Sequence, residues 1–265
     1  MRCFDAHNHL QDDRFGGRQE ELVAAATTAG VARMVVNGAC EEDWPQVQML
    51  ARRFPVVLPS FGCHPWYVSG RTPRWRENLV CFLDETPGAV IGEIGLDRWK
   101  PDLAYNGQEE VFLSQLQLAA ERNVAASIHC LRAWGRLHDL LRANSRPARG
   151  FLLHSYGGPG EMVSPLARVG AYFSFPGYYL HERKTRQCET FKLVPPDRLL
   201  IETDAPDQLL PDTLNAHPLT DAETGTALNH PANLPAVYRG LAEFLGRPVE
   251  ELARSVEENF RRLFG

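Results

Sequence analysis

A chain of 265 residues, 44 % of them apolar, is long for one sandwich and suits one large barrel-sized domain with a full core. Its net charge of −5, with no Lys/Arg block, excludes a global positive field, so a nucleic-acid ligand would have to be held locally. No apolar run reaches a membrane-spanning length, no basic-then-apolar leader is visible, and six scattered cysteines form no CxxC pair, so reduced thiols in a cytoplasmic protein are expected.

Short apolar, β-rich runs alternate with helical patterns along the chain. Cys3–Ala6 leads straight into His7. A helical pattern over Arg18–Ala29 stops at Gly30, and the β-branched run Val31–Val36 follows. Next come a helix over Glu42–Arg52, an irregular strand Val56–Phe61 that carries Pro59, and a helix over Arg74–Glu85. Strands over Ala89–Ile94, Val124–Ile128, Gly150–Leu153, Ala171–Phe175 and Arg198–Glu202 are expected. They alternate with helices over Gln108–Arg122, Arg132–Ala143, Gly160–Arg168 and Arg183–Lys192. Pro206–Pro235 has little periodicity and reads as a long, ordered loop. Two helices close the chain, Leu234–Leu245 and Val249–Leu263, the latter after Arg247-Pro248.

Eight β runs, each followed by a helix, imply parallel strands with right-handed crossovers. The count and length favour an α/β fold closed into a (β/α)₈ barrel, a single domain over residues 1–265.

The polar residues fall where such a barrel builds sites. His7 and His9 form H-x-H after the first run, so both rings point the same way in extended chain. Glu93, His129, His154 and Asp204 close the fourth, fifth, sixth and eighth runs, whose C-terminal ends converge on one mouth. Four imidazoles and two carboxylates suit a divalent ion such as Zn²⁺ or Mn²⁺, and could hold two with Glu93 between them. Such a pair would activate a water and polarise a scissile bond, with Asp204 as general base. A lone histidine at a strand end is usually structural. Six ligand-type residues at matching ends of five strands carry the metal reading.

The motifs FDAHNHL, FGCHP around His64, IGEIGLD, SIHC, LLHSYGG and LLIETDAP, with the tail NHPANLP and ENFRRLFG, occur in order over essentially the whole chain. In them the sequence resembles the TatD family of metal-dependent deoxyribonucleases, within the amidohydrolase-like TIM barrels. The resemblance implies two divalent ions (Mg, Mn or Zn). One would be held by His7, His9, Glu93 and Asp204, the other by Glu93, His129 and His154. It also implies His64 in the mouth against substrate phosphate. IGEIGLD and ETDAP are specific together; H-x-H and G-x-H-P are not specific alone. Many amidohydrolase barrels bridge their ions with a carbamylated lysine; here Lys100, Lys184 and Lys192 end no expected strand, which leaves Glu93 as the bridge.

The departures lie on the substrate side. Leu131 stands where the family commonly has an arginine after the fifth-strand histidine, with Arg132 one residue later as its substitute or as a helix start. Ser155-Tyr156 replaces Cys-Phe. Asp207-Gln208 follows ETDAP, and Asp207 would repel a phosphate unless a metal or an arginine offsets it. Arg98-Trp99 and Trp66-Tyr67 fit either stacking on a nucleotide or packing of their own loops. The expectation is an enzyme with catalytic Asp204 and Glu93 and substrate contacts from His64 and Arg132. It would cleave phosphodiester bonds at DNA 3′ ends or in single-stranded DNA by a 3′–5′ exonuclease reaction. No membrane association and no obligate protein partner is expected. The alternative is hydrolysis of a small-molecule amide, lactone or phosphoester.

Overall fold

The computed structural model describes residues 1–100, 103 and 105–265. Eight parallel strands pair in chain order: β1 Cys3–Asn8, β2 Val31–Asn37, β3 Val57–Phe61, β4 Val90–Asp97, β5 Ala126–Leu131, β6 Phe151–Leu153, β7 Ala171–Pro176 and β8 Leu199–Glu202. Strands buried on both faces need side chains that tolerate removal from water, which is why the expected runs are mostly apolar rather than regularly alternating. Every residue of β1, β3, β4, β7 and β8 is buried. The sheet curls into a nearly closed (β/α)₈ barrel with α1 Gln19–Thr28, α2 Trp44–Arg53, α3 Trp75–Glu85, α4 Tyr105–Arg122, α5 Trp134–Ala143, α6 Val163–Arg168 and α7 Thr185–Thr190 in the crossovers. No helix of the described residues is long and apolar enough to cross a membrane.

Side chains and chain ends, not a regular ladder, close the seam between β8 and β1. The Asp5 carboxylate accepts the Thr203 amide at 3.0 Å and its hydroxyl at 2.6 Å. Just beyond β8, the amide of Asp204 donates to the His7 carbonyl (3.0 Å), and that of His9 to the Ala205 carbonyl (2.8 Å). At the other end Tyr238 lends its hydroxyl to Phe4, accepting from the amide (2.9 Å) and donating to the carbonyl (3.0 Å). Edge-strand groups buried without partners would each be costly, and Tyr238 supplies them from α8 (Leu234–Leu245). Helix α9 (Val249–Phe264) covers the same seam, with Phe260 against Phe4 (ring centroids 5.0 Å) and the Asn259 amide donating to the carbonyls of Pro196 (2.8 Å) and Leu199 (2.9 Å).

Three details differ from the sequence reading. First, β1, β4 and β5 run on through polar residues, to Asn8, Asp97 and Leu131. Glu93 therefore lies in the middle of β4, not at its end. The pairing of β4 with β5 is irregular there, between Ile91 and Ile94, and glycines permit it. Gly95 has φ 147°, and a Cβ on it would lie 2.0 Å from the His129 carbonyl oxygen; one on Gly92 (φ 154°) would lie 2.7 Å from the Ser127 Cβ. Second, the helices expected at Gly160 and Arg183 open as 3₁₀ turns and become α-helix only at Val163 and Thr185. Third, the stretch after Pro206 is ordered but contains a two-stranded antiparallel hairpin, β9 Leu219–Thr220 with β10 Ala227–Leu228.

Candidate metal centre

The six sequence candidates meet at the C-terminal mouth of the barrel. Glu93 sits between them and its two oxygens face different partners. Oε2 lies 3.2 Å from His9 Nε2 and 3.5 Å from His7 Nε2; Oε1 lies 2.8 Å from His154 Nε2 and 3.2 Å from His129 Nδ1. Asp204 Oδ1 stands 3.7 Å from Nε2 of both His7 and His9. The H-x-H spacing does what extended backbone requires and brings the two inner nitrogens to 3.2 Å of each other.

The outer face of each ring is held. His9 Nδ1 lies 2.8 Å from the Asn37 carbonyl, which can only accept, so the proton is on Nδ1 and the Nε2 lone pair points inward. His129 Nε2 lies 3.1 Å from the Asp97 carboxylate, which turns its Nδ1 lone pair inward. His7 Nδ1 meets the Ser127 hydroxyl at 2.8 Å. His154 Nδ1, buried and without a hydrogen bond, faces Glu202 Oε1 at 3.8 Å. Glu202 is itself fixed by the Ser155 amide (2.7 Å) and by the hydroxyls of Ser155 and Ser174. Lone pairs converging at 3.2–3.3 Å, His7 on His9 and His129 on His154, repel unless a cation lies among them. Outer-face acceptors of this kind are what orient histidines toward a metal. The donor set thus fits a divalent metal centre, and imidazole with carboxylate suits Zn²⁺, Mn²⁺ and their neighbours.

A proton can take the cation's place among such lone pairs, and the ionisation pattern follows the same electrostatics. Burial resists the charge on Glu93, yet His64, His154 and His129 hold its carboxyl well below the usual range. Burial pushes Asp204 up to about 7, against the pull of His154 and His9. Burial opposes charge on His9 too, but Glu93 and Asp204 outweigh it and carry the ring up to about 9. His7, buried against His154, falls to about 4.

His64 is placed differently from the other four histidines. Its Nδ1 accepts the Trp66 amide at 3.2 Å, so its proton sits on Nε2, 3.4 Å from Glu93 Oε1. It offers the centre an N–H donor, not a lone pair, and burial keeps it neutral. Arg132 is exposed, has φ 55°, and is not among the described residues that line the cavity. Tyr156 is buried and donates to the Pro159 carbonyl at 2.8 Å.

Around the centre opens a cavity of about 870 Å³, lined among others by Asp12, Arg14, His64, Trp66, Trp99, Leu131, Lys184 and Asp207. The charge of Asp207 is met by Arg14, whose guanidinium reaches it through two bonds (2.9 and 2.8 Å) and grips Asp12 as well (2.9 and 2.8 Å). Gln208 donates to Asp204 Oδ2 at 2.7 Å and to the Ser155 hydroxyl, which fixes the plane of the Asp204 carboxylate.

Asp97, Glu202, Ser127 and Asn37 were missed as site residues by the sequence reading. Parity could have found three of them: in extended chain Asp97 shares a face with Glu93, as Ser127 does with His129 and Glu202 with Asp204.

Residues 4–265 match the family model described as "TatD related DNase". The chain is 32 % identical to a 3′-5′ ssDNA/RNA exonuclease TatD of Dickeya dadantii, covering 98 % of this chain and 97 % of the relative. It is 30 % identical to the protein of the same name from Escherichia coli K12, covering 99 % and 98 %. The crystal structure of a TatD homolog from Escherichia coli K12 superposes with a TM-score of 0.89 at 25 % identity, over 99 % of this chain and 98 % of that one.

Proposed function

The chain belongs to the TatD related DNase family of metal-dependent hydrolases, and from that premise we propose that it is a 3′–5′ exonuclease trimming single-stranded DNA or RNA. Glu93 and Asp204 act in catalysis, two divalent ions serve as cofactors, and residues 1–265 form one catalytic domain. The observation that carries the reading is the division of Glu93, one oxygen toward His7 and His9, the other toward His129 and His154. A carboxylate so placed would hold an ion on either side, and no lysine would be needed between them.

When bound, such ions supply Lewis acidity toward water and toward a phosphoryl oxygen. The protein's own groups supply the rest. Asp204, with Oδ2 held by Gln208, turns Oδ1 to the centre and accepts the proton of the attacking water. His64 presents its Nε2 proton to a non-bridging phosphate oxygen. Glu93 stays ionised across the neutral range and keeps its geometry through the reaction. Preorganised donors of this kind act where charge grows and need no rearrangement during the step. The mouth is acidic overall, which suits a chain end better than a long duplex. The six cysteines are free thiols, which supports a reducing, cytoplasmic setting.

The test is cleavage of a 5′-labelled single-stranded oligonucleotide with Mg²⁺, Mn²⁺ or Zn²⁺, alongside chelator and His129→Ala controls. Stepwise shortening from the 3′ end that needs metal and His129 is expected. No shortening with any of the three ions would overturn the nuclease reading. Metal analysis of reconstituted protein should return two ions per chain, falling in Glu93→Gln; fewer than one would overturn the two-ion centre.

A further inference from the structure

Asp97 gathers more than the ring it orients. Its Oδ2 accepts the indole N–H of Trp66 at 2.6 Å as well as facing His129, and its Oδ1 accepts the backbone amide of Trp99, also at 2.6 Å. One carboxylate thus ties a histidine of the metal centre to two tryptophans on the wall of the same cavity. The Trp66 ring lies 6.4 Å from that of His129 and is covered by the Lys100 ammonium, 3.4 Å from its centroid. Trp99 is 51 % exposed, a large flat apolar face left to solvent beside a polar centre. Single apolar residues on a surface need no explanation. An indole whose backbone is locked to the ligand shell, next to a lysine, is a different case. The cavity wall also carries Asp12, Asp13 and Asp207, a group that stays net negative with Arg14 among them and so disfavours a polyanion.

We infer that Trp99 is a base-stacking platform, with Lys100 beside it for the phosphate, which holds the nucleobase next to the scissile bond of a single-stranded nucleic acid. The inference rests on the nuclease reading and names how that substrate is gripped. Stacking on an aromatic face tolerates any base and favours one free of a duplex, because a base inside a duplex has both faces covered by its stacked neighbours. The platform therefore selects for single strands and gives the acidic mouth a way to bind them without a basic groove.

The experiment compares oligo(dT) with an otherwise identical strand whose 3′-terminal residues are abasic, in wild type, Trp99→Ala and Trp99→Phe. Wild type should favour the base-bearing end by roughly 5- to 150-fold in kcat/KM. Trp99→Ala should lose that preference, and Trp99→Phe should keep part of it. Equal cleavage of both ends by wild type, or a preference undiminished in Trp99→Ala, would overturn the platform. A second readout does not need turnover: with chelator present, the base-bearing strand should quench tryptophan fluorescence in wild type but not in Trp99→Phe. If wild type cleaves neither strand, the nuclease reading falls. The titration then still decides the platform, which is overturned if both strands quench alike.

Discussion

Asp97 stands 3.1 Å from His129 Nε2 and so decides which nitrogen of that ring carries the proton. Its carboxyl is held down to about 2: burial would raise it, but the bonds from His129, Trp66 and Trp99 prevail. Replacing it by Asn keeps the size and removes the charge. The amide can present N–H to the ring as readily as oxygen, and the wrong tautomer would then turn a proton toward Glu93. Loss of a partner of this kind typically costs about 10- to 100-fold in metal affinity or activity. Asp97→Asn should weaken binding of the ion nearer His129 by that factor while the folded protein survives. Calorimetric titration with Zn²⁺ would check it; two unchanged binding steps would mean that His129 is oriented by something else.

Gly95→Ala tests the irregular stretch of β4. At φ 147° an L side chain is strained, and its Cβ would meet the His129 carbonyl oxygen at 2.0 Å. Backbone on both sides cannot yield, so the cost should exceed about 3 kcal/mol, a fall of roughly 6–12 °C in Tm. Gly135→Ala is the matched control. That glycine lies inside α5 with nothing within 4 Å of a built Cβ, so the change should raise stability by about 0.5–1 kcal/mol. Thermal melts of the two variants should move in opposite directions.

The same region shows what the sequence could reveal. Eight strands were legible because most of their residues are buried, which demands predominantly apolar runs. The six ligand candidates were legible because each interrupts or ends such a run. The position of Glu93 within β4 was not, since the strand runs on to Asp97 by pairing with β5 as far as Leu131 and is held at its end by Gln108, on α4, which accepts the Asp97 amide at 2.8 Å and donates to its carbonyl at 3.1 Å. Periodicity carries no trace of such a tertiary partner. Nor does it show that Arg14 answers Asp207, 193 residues away, or that Arg132 is not among the described residues lining the cavity. Strands two residues long, such as β9 and β10, are too short to leave a pattern.

Arg14 should govern how the mouth tolerates polyanions. Its guanidinium offsets Asp12 and Asp207, and without it both carboxylates face an incoming phosphate unscreened. Arg14→Gln should raise KM for a single-stranded oligonucleotide by about 3- to 10-fold at low salt with kcat nearly unchanged. The gap should narrow as ionic strength rises, because the groups are partly exposed and screened. A salt-independent change in kcat would instead place Arg14 in the chemistry.

His230 should give the protein a pH-dependent stability of its own, separate from that of the metal centre. Its Nδ1 accepts the Ala232 amide at 2.9 Å, capping the turn Pro231–Asn233 that runs into α8. Burial, with the His217 ring and the Arg18 charge near it, pulls its pKa from 6.5 down to about 4. Protonation would set an N–H against an amide N–H at a helix N-terminus, where positive charge is unwelcome. The unfolded chain takes up the proton near pH 6.5, whereas the folded chain resists until about 4. The contribution is therefore full above pH 6.5 and is lost as pH falls toward 4, about 2 kcal/mol after allowance for partial solvent access. Asn at this position keeps a cap acceptor and does not titrate. Urea denaturation of wild type and His230→Asn from pH 4 to 7.5, both with chelator, should show a shallower fall in stability for the variant across that window. Parallel curves would show that His230 does not resist protonation in the folded chain.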